Sequence, residues 1–169
     1  MTAREDESLN DRIGIRRMRK SDLRLVKRGI SETNWQDIPV DQKEVITRGD
    51  ADRRVFADFD RYMNERRYRF RVFVAATGDG RPAGYVSIGE GANPTVGIRL
   101  GSVLDFWVAE EFRGRGVGSK LLDYALEEIG KRGYSHASIM VSASNRQALR
   151  MYERRGFLPD RIHLAKRLR

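Results

Sequence analysis

The sequence predicts an α/β protein in which strands and helices alternate. Three observations support this class. Short β-branched and apolar segments recur along the chain, segments with helical spacing separate them, and glycine-rich turns join the two kinds. A length of 169 residues suits one domain whose core is large enough to contain a cleft. We expect a flexible, polar N-terminal segment, 1–12, followed by a single domain, 13–169.

The order of the predicted elements is strand, two helices, three strands, helix, strand, helix, strand. The expected strands are 13–18, 71–76, 83–88, 102–108, 136–142 and 161–167. The expected helices are 21–30, 41–66 with a break near Gly49, a helix from the glycines at 114–118 to near Gly133, and 145–155. A polar loop, 31–39, is expected between the first two helices, and an irregular connection over 89–101.

Composition excludes several classes of protein and of site. The chain has no cysteine and two histidines, which rules out disulfides, thiolate metal sites, a cysteine nucleophile and a histidine-rich metal site. It has no apolar run long enough for a membrane span and no signal-peptide pattern, so we expect a cytoplasmic protein with no membrane partner. The net charge is +9. Its basic residues are spread along the chain and are mostly arginine, which disfavours nucleic-acid binding and weakly suggests a heat-adapted source.

A glycine-rich loop follows the predicted strand that ends at Val108. It places glycines at 114, 116 and 118, with Arg113 and Arg115 interleaved. Glycines permit a tight turn that exposes backbone N–H groups, and a helix N-terminus adds positive potential. The spacing differs from the dinucleotide fingerprint and from the Walker loop, because Ser119 stands where a third glycine is required and Leu121 follows the lysine. We therefore expect a pyrophosphate group to bind here, in neither of those two modes.

A second motif lies about thirty residues further on. The segment 145–157 reads N-x-x-A-x-x-x-Y-x-x-x-G-F. Asn145 is a candidate helix cap, Ala148 and Tyr152 share a helical face, and Gly156 suits the end of that helix. Taken alone, Tyr152 could equally be a core aromatic residue.

The two motifs, in this order, resemble the GCN5-related N-acetyltransferase (GNAT) family, whose coenzyme A loop is written Q/R-x-x-G-x-G/A. The resemblance extends over roughly residues 12 to 168. It implies a twisted, mixed and mostly antiparallel sheet of about six to seven strands, flanked by about four helices. It also implies that the strands ending near Val108 and beginning near His136 are parallel and diverge, and that acetyl-CoA is the co-substrate, with no metal.

The resemblance also implies roles for particular residues. The backbone around Phe106 and Val108 would hold the thioester and the pantetheine arm. Tyr152 would be the acid that protonates sulfur, and Asn145 would orient the pantetheine or stabilise the backbone of the site. The residues expected to bind coenzyme A are Phe106, Val108, Arg113, Gly114, Arg115, Gly116, Val117, Gly118, Ser119, Asn145 and Tyr152.

The general base is less well defined. Some family members carry a glutamate on the central strand where this chain has Ser102. We rank Asp105 first because it lies on the strand that lines the reaction gap. Glu90, Glu32 and Asp37 are alternatives, as is a chain of water molecules that leads to backbone carbonyls.

The acceptor pocket is expected near the first two helices and their connecting loop. Its candidate residues are Glu32, Trp35, Asp37 and Glu90. Trp35 suits either an apolar wall of that pocket or a buried lid over the helix pair. The carboxylates would attract a cationic amine.

The leading functional hypothesis is an acetyl-CoA-dependent N-acetyltransferase whose amine attacks the thioester directly in a ternary complex. The acceptor is a small molecule or a protein amino group, and polyamines, antibiotics, amino acids and protein N-termini all stay open. The resemblance also allows a homodimer. The alternatives are a non-catalytic acyl-CoA-binding regulator and, less favoured, a nucleic-acid-binding module.

Overall fold

The computed structural model describes residues 13–93 and 95–168. The segment 1–12, for which we expect flexibility, lies outside the described residues. The chain forms a five-stranded sheet in the order β1-β2-β3-β4-β5. Its strands are β1 Gly14–Arg17, β2 Arg71–Ala76, β3 Pro82–Ala92, β4 Arg99–Val108 and β5 Ala137–Ile139. The helices are α1 Leu23–Asp37, α2 Arg48–Asn64, α3 Val117–Lys131 and α4 Arg146–Glu153.

The sheet is antiparallel from β1 to β4, and β5 joins β4 in parallel. The expected mixed, mostly antiparallel sheet with four helices is therefore confirmed, but with fewer strands than expected. The predicted strand at 161–167 is not formed: this segment is exposed and irregular. One physical reason is that β5 pairs over only three residues, which leaves a short edge for another strand to join.

Helices cover both faces of the sheet. A Cβ atom on Gly29 of α1 would approach Tyr85 of β3, while a Cβ atom on Gly84 would approach Leu121 of α3. Residues 84 and 85 point to opposite faces because side chains alternate along a strand. Helices α1 and α3 therefore lie on opposite faces, and the apolar residues of β2, β3 and β4 form a core on both.

Helix α1 is longer than the sequence suggested. It continues through the predicted loop to Asp37 and stops because Ile38 adopts an extended conformation before Pro39. The Thr33 hydroxyl donates to the carbonyl of Gly29 at 3.0 Å, and Arg28 pairs with Glu32 four residues later. Glu32 and Asp37 therefore lie on a helix, and Trp35 lies between them.

The other boundaries differ in smaller ways. The break before α2 falls ahead of Gly49, because Thr47 caps the helix by accepting from the N–H of Asp50. Strands β3 and β4 extend into the connection expected to be irregular, so that only residues 93–98 join them. Among the described residues, no helix is both long enough and apolar enough to cross a membrane.

Candidate active site

The loop between β4 and α3 has the geometry of an anion-binding loop. Gly114 and Gly116 both have φ of +75°, a backbone conformation that favours glycine. The first hydrogen bond of α3 runs from the N–H of Lys120 to the carbonyl of Gly116 at 3.0 Å. The N–H groups of Val117, Gly118 and Ser119 precede it, and no side chain caps this helix. The loop and the helix terminus therefore present backbone donors where an anion could bind.

The two arginines of the loop have different surroundings. Arg113 is exposed, and its Nε donates to the carbonyl of Val108 at 2.9 Å, which ties the loop to the end of β4. Arg115 is partly buried. Both guanidinium groups bring positive charge to the same loop as the unpaired N–H groups.

Close packing of α3 against β4 depends on Gly118. A Cβ atom at this position would lie 3.1 Å from Cζ of Phe106 and 3.7 Å from Cγ2 of Val108. These two side chains therefore lie directly beneath the N-terminal turn of α3.

Strands β4 and β5 diverge as expected. Strand β4 pairs with β3 along nearly its whole length, but it pairs with β5 only at Gly101–Val103. Past Val103, the β4 edge on the β5 side has no strand partner among the described residues. An extended ligand could form backbone hydrogen bonds there, as an added strand does.

Tyr152 projects from α4 and is 6% exposed. Its ring packs edge-on against Phe157, with centroids 5.9 Å apart. We find no hydrogen bond from its hydroxyl to any residue in the described part of the chain. Burial raises the pKa of Tyr152 to about 12, and the charges of Asp37 and Asp105 add to this effect. The phenol therefore stays protonated at neutral pH and shares its surroundings with both carboxylates.

Asn145 caps α4, as predicted. Its Oδ1 accepts from the N–H of Ala148 at 3.1 Å. Arg155, beyond the end of the same helix, forms two hydrogen bonds with Asp123 of α3, at 2.5 and 2.9 Å. These contacts fix the helix that carries Tyr152. The second could not be predicted from local sequence, because its partners are 32 residues apart.

Asp105 faces α1 and accepts three hydrogen bonds. They come from the Tyr85 hydroxyl, from Thr33 Oγ1 at 3.2 Å and from the N–H of Phe106 at 2.8 Å. Burial raises the pKa of Asp105 and the charge of Asp37 raises it further, while these hydrogen bonds oppose the shift.

A β-bulge in β4 gives Asp105 this orientation. A Cβ atom on Gly101 would point at Ile129 of α3, but Asp105, four residues later, contacts α1. Residues an even number apart in a regular strand share a face. The register shifts between Ser87 and Ile88 of β3, so that Leu104 has no partner and the later residues change face.

Glu32 anchors α1 to β4. Trp107 Nε1 donates to its Oε2 at 2.9 Å, and Arg28 Nε donates to its Oε1 at the same distance. Burial works to raise the pKa of Glu32, but these two donors outweigh it and hold the pKa below its usual value. Glu32 is therefore ionised and engaged on both oxygens.

The other acceptor-pocket candidates are not all brought together. Asp37 lies at the end of α1, where its side chain is exposed. Partial desolvation of its carboxyl group raises the pKa of Asp37, and the positive charge of Lys43 opposes this shift. Lys43 Nζ also lies 5.3 Å from the centre of the partly buried Trp35 ring. Glu90 is separate: it accepts from Arg99 and Tyr134, and its cross-strand partner Gly101 faces α3.

Sequence reasoning missed Thr33 and Tyr85. Both contact Asp105 from positions distant in the chain. The only local signal was a tyrosine hydroxyl within an otherwise apolar strand, since a buried hydroxyl requires a partner. No group of three or more metal-binding side chains occurs within 13–93 and 95–168.

Comparison of the sequence with known proteins identifies the family to which it is similar. The sequence model of the acetyltransferase (GNAT) family matches residues 33–157. An uncharacterized N-acetyltransferase of Methanocaldococcus jannaschii is 30% identical over 86 residues, which make up 50% of this chain and 38% of that protein. Streptothricin acetyltransferase of Streptomyces lavendulae is 34% identical over 88 residues, 52% of this chain and 44% of that protein. The chain thus spans less than half the length of either relative.

Solved structures show the same fold. A putative acetyl transferase from Pyrococcus furiosus superposes with a TM-score of 0.77 at 22% identity, covering 92% of this chain and 99% of that one. A GCN5-related N-acetyltransferase from Ralstonia eutropha has a TM-score of 0.65 at 19% identity, covering 92% and 98%.

Proposed function

The chain belongs to the acetyltransferase (GNAT) family, and from this premise we propose that it transfers the acetyl group of acetyl-CoA to a primary amine by direct attack in a ternary complex. The observation that carries the proposal is a set of three features next to β4: the uncapped N-terminus of α3, the open edge of β4, and the buried Tyr152, whose pKa responds to Asp105 of that strand. Together they offer donors for a pyrophosphate, a strand edge for an extended arm and a phenol.

Acetyl-CoA supplies the activated acetyl group: the amine nitrogen bonds to the carbonyl carbon, and the carbon–sulfur bond breaks. The N–H groups of the loop, with Arg113 and Arg115, bind the pyrophosphate. The backbone of Phe106 and Val108 binds the pantetheine arm. Tyr152 donates its proton to sulfur, which suits a phenol that burial keeps protonated.

Asp105 accepts the proton that the amine loses. Its raised pKa supports this role, since a carboxylate whose pKa lies closer to neutrality is a stronger base. The Tyr85 hydroxyl and Thr33 hold the carboxylate in place. Asn145 acts by capping α4 and thereby stabilising the backbone that carries Tyr152.

The acceptor is a small cationic amine. Glu32, Asp37 and Asp105 bring three carboxyl groups to α1 and the strand it covers, and two of them influence the same tyrosine. A relative that is named for acetylating streptothricin supports a small-molecule acceptor.

An acceptor screen tests the proposal. The purified protein is incubated with acetyl-CoA and a panel of polyamines, cationic antibiotics, amino acids and peptides with free N-termini, and thiol release is followed. We expect turnover with at least one small polycation. Stoichiometric coenzyme A binding without thiol release across the panel would instead support the non-catalytic regulator.

The loop assignment has its own test. Arg113→Ala and Gly116→Glu should each weaken coenzyme A binding. For Arg113→Ala we expect about tenfold, because one guanidinium contact to phosphate is lost. Isothermal titration measures this, with Arg24→Ala, an exposed substitution in α1, as the control. Unaltered affinity in both loop variants would exclude this loop as the pyrophosphate site.

A further inference from the structure

A second concave site lies on the α3 face of the sheet. It is a cavity of about 810 Å³ lined by Arg17, Arg66, Arg69, Arg71, Phe73, Tyr124, Glu128 and Arg132. Five of these eight side chains are guanidinium groups. The cavity adjoins the last two turns of α3, whereas the glycine loop precedes the first. At a rise of ~1.5 Å per residue, fifteen residues of helix place the two sites roughly 20 Å apart.

Three separate parts of the chain build this cavity. Arg17 of β1 is the cross-strand neighbour of Phe73 in β2, so their side chains share a face of the sheet. Arg71 lies two residues before Phe73 in β2 and therefore points to the same face. Helix α3 contributes Tyr124, Glu128 and Arg132, which are spaced four apart and therefore share one side of the helix. The turn before β2 adds Arg66 and Arg69.

Arg69 has an unusual backbone conformation. Its φ is +49°, and no other non-glycine residue in the described part of the chain has a positive φ. Its carbonyl accepts from Arg132 NH1 at 2.9 Å. An L-residue is disfavoured in this conformation and glycine is not. Arg69 nevertheless occupies this position, and its side chain lines the cavity.

The positive charge of the cavity is not balanced. Within residues 13–93 and 95–168, Arg17, Arg66 and Arg71 form no ion pair. Glu128, the one lining carboxylate, lies 3.3 Å from Lys131. Arg69 lies 3.9 Å from Glu90, but that carboxylate already accepts from Arg99 and Tyr134.

The cavity also has an aromatic surface, which Tyr124 provides. The partly buried Tyr124 ring packs on Phe73, which is only 2% exposed, with centroids 5.0 Å apart. The combination of several guanidinium groups with an aromatic surface suits a ligand that carries linked phosphates and a planar or apolar part.

We propose that this cavity is a second ligand site, which binds a small anion of linked phosphates, of nucleotide size. Arg17, Arg66, Arg69 and Arg71 contact the phosphates, while Tyr124, backed by the buried Phe73, contacts the rest of the ligand. The site is independent of the proposed acetyl transfer and of the coenzyme A loop.

Isothermal titration of the full chain, saturated with coenzyme A at low ionic strength, tests this proposal with two probes, inorganic tripolyphosphate and ATP. Both should bind. ATP should bind more tightly, because its organic part contacts the aromatic surface; equal binding of the two probes would overturn the role of Tyr124. The double variant Arg17→Gln/Arg71→Gln should weaken both by about tenfold or more, since each lost charge-assisted contact removes a sizeable share of affinity.

The matched control is Arg24→Gln/Arg54→Gln, which removes the same charge from exposed positions on α1 and α2. The proposal is overturned if neither probe binds, if the control weakens binding as much, or if coenzyme A displaces the probe. It is also overturned if a duplex DNA oligomer binds more tightly with the same dependence on Arg17 and Arg71, since that would identify a nucleic-acid surface.

Arg69→Gly separates a ligand role from a structural one. Glycine relieves the backbone conformation, so the melting temperature of the free protein should stay equal or rise, while affinity for tripolyphosphate falls. A lower melting temperature with unchanged affinity would remove Arg69 from the site.

Discussion

Tyr152 links the two halves of the candidate active site. It projects from α4, and its pKa responds to Asp37 and Asp105 on the α1 side. No single motif contains this relationship, because the three residues come from α4, α1 and β4. The sequence identified Tyr152 through its motif, while the buried environment that keeps it protonated emerges only from the fold.

Replacing Tyr152 by phenylalanine removes the proposed acid and keeps the ring that packs on Phe157. We expect kcat to fall by about a hundredfold, the usual contribution of a general acid, with little change in coenzyme A affinity. Thiol-release kinetics and titration measure the two quantities. Tyr62→Phe, in the cluster with Tyr68 and Phe70, is the control. A loss of affinity without a loss of kcat would make Tyr152 a packing residue.

The raised pKa of Asp105 has two consequences. As the base, Asp105 must be ionised, so kcat/KM should rise with pH through its pKa, and Asp105→Asn should abolish that rise.

The second consequence concerns stability. The pKa of Asp105 is higher in the folded than in the unfolded state, so its contribution to stability is fully present below the unfolded pKa and is lost as pH rises through the folded pKa. At neutral pH, Asp105→Asn should therefore leave the melting temperature unchanged or raise it.

Glu32 should show the opposite dependence of stability on pH. Its lowered pKa means that its stabilising effect is present above the unfolded pKa and is lost as pH falls through the folded one. Glu32→Gln should lower the melting temperature at neutral pH, and the difference from the parent protein should shrink in acid. If Asp105→Asn instead lowers the melting temperature at neutral pH as Glu32→Gln does, Asp105 serves as a structural anchor.

At the scale of elements, the position of α1 depends on a glycine. A Cβ atom on Gly29 would lie 2.5 Å from Cε1 of Tyr85 and 2.8 Å from Cδ2 of Trp107. Tyr85 donates to Asp105, and Trp107 donates to Glu32. The packing of Gly29 therefore sets the distance between α1 and the proposed base.

Gly29→Ala should destabilise the fold by about 2 kcal/mol, the cost of overpacking a tight contact, and should lower activity as α1 shifts. Gly49→Ala is the matched control, since a Cβ atom there meets nothing closer than 3.8 Å. That exposed position in α2 should gain about 0.5 kcal/mol or more from helix propensity. Urea unfolding measures both, and equal stability of the two variants would refute the packing argument.

The elements predicted well were those with local signals. Strand β2 begins and ends where its β-branched run does, and the cap at Asn145 lies where the motif placed it. The segment 31–37 is polar and read as a loop, yet it is helical because the hydrogen bonds of Thr33 with Asp105 and of Glu32 with Trp107 outweigh weak local propensity. Arg161–Arg167 alternates like a strand but has too little sheet edge to join.

At the scale of the whole molecule, the sheet separates the proposed cofactor loop from the proposed general base. The glycine loop lies at the N-terminus of α3 on one face, and the carboxylates surround α1 on the other. A contiguous motif revealed the first. The second could not be read from sequence, since Thr33, Tyr85 and Asp105 are brought together only by folding. The resemblance to the GNAT family, stated from the motifs, is confirmed by the family match.

The chain after Phe157 presents apolar side chains to solvent. Leu158, Ile162, Leu164 and Leu168 are each at least 80% exposed. Exposed aliphatic groups in this number favour association, so this segment is a candidate interface for the homodimer that the resemblance allows. We expect the sedimentation coefficient to increase with concentration, and Ile162→Ser/Leu164→Ser to suppress the increase. A monomer at every concentration would exclude the homodimer.

The bulge at Leu104 means that β4 carries one residue more than its pairing with β3 requires. Deletion of that single codon would place Asp105 directly after Val103 and restore regular alternation, with Asp105 still turned towards Thr33 and Tyr85. Two descendants of one gene that differ by these three nucleotides would therefore share every recognisable motif and the same orientation of this carboxylate. A difference of one residue in the length of this strand would leave the proposed base in place.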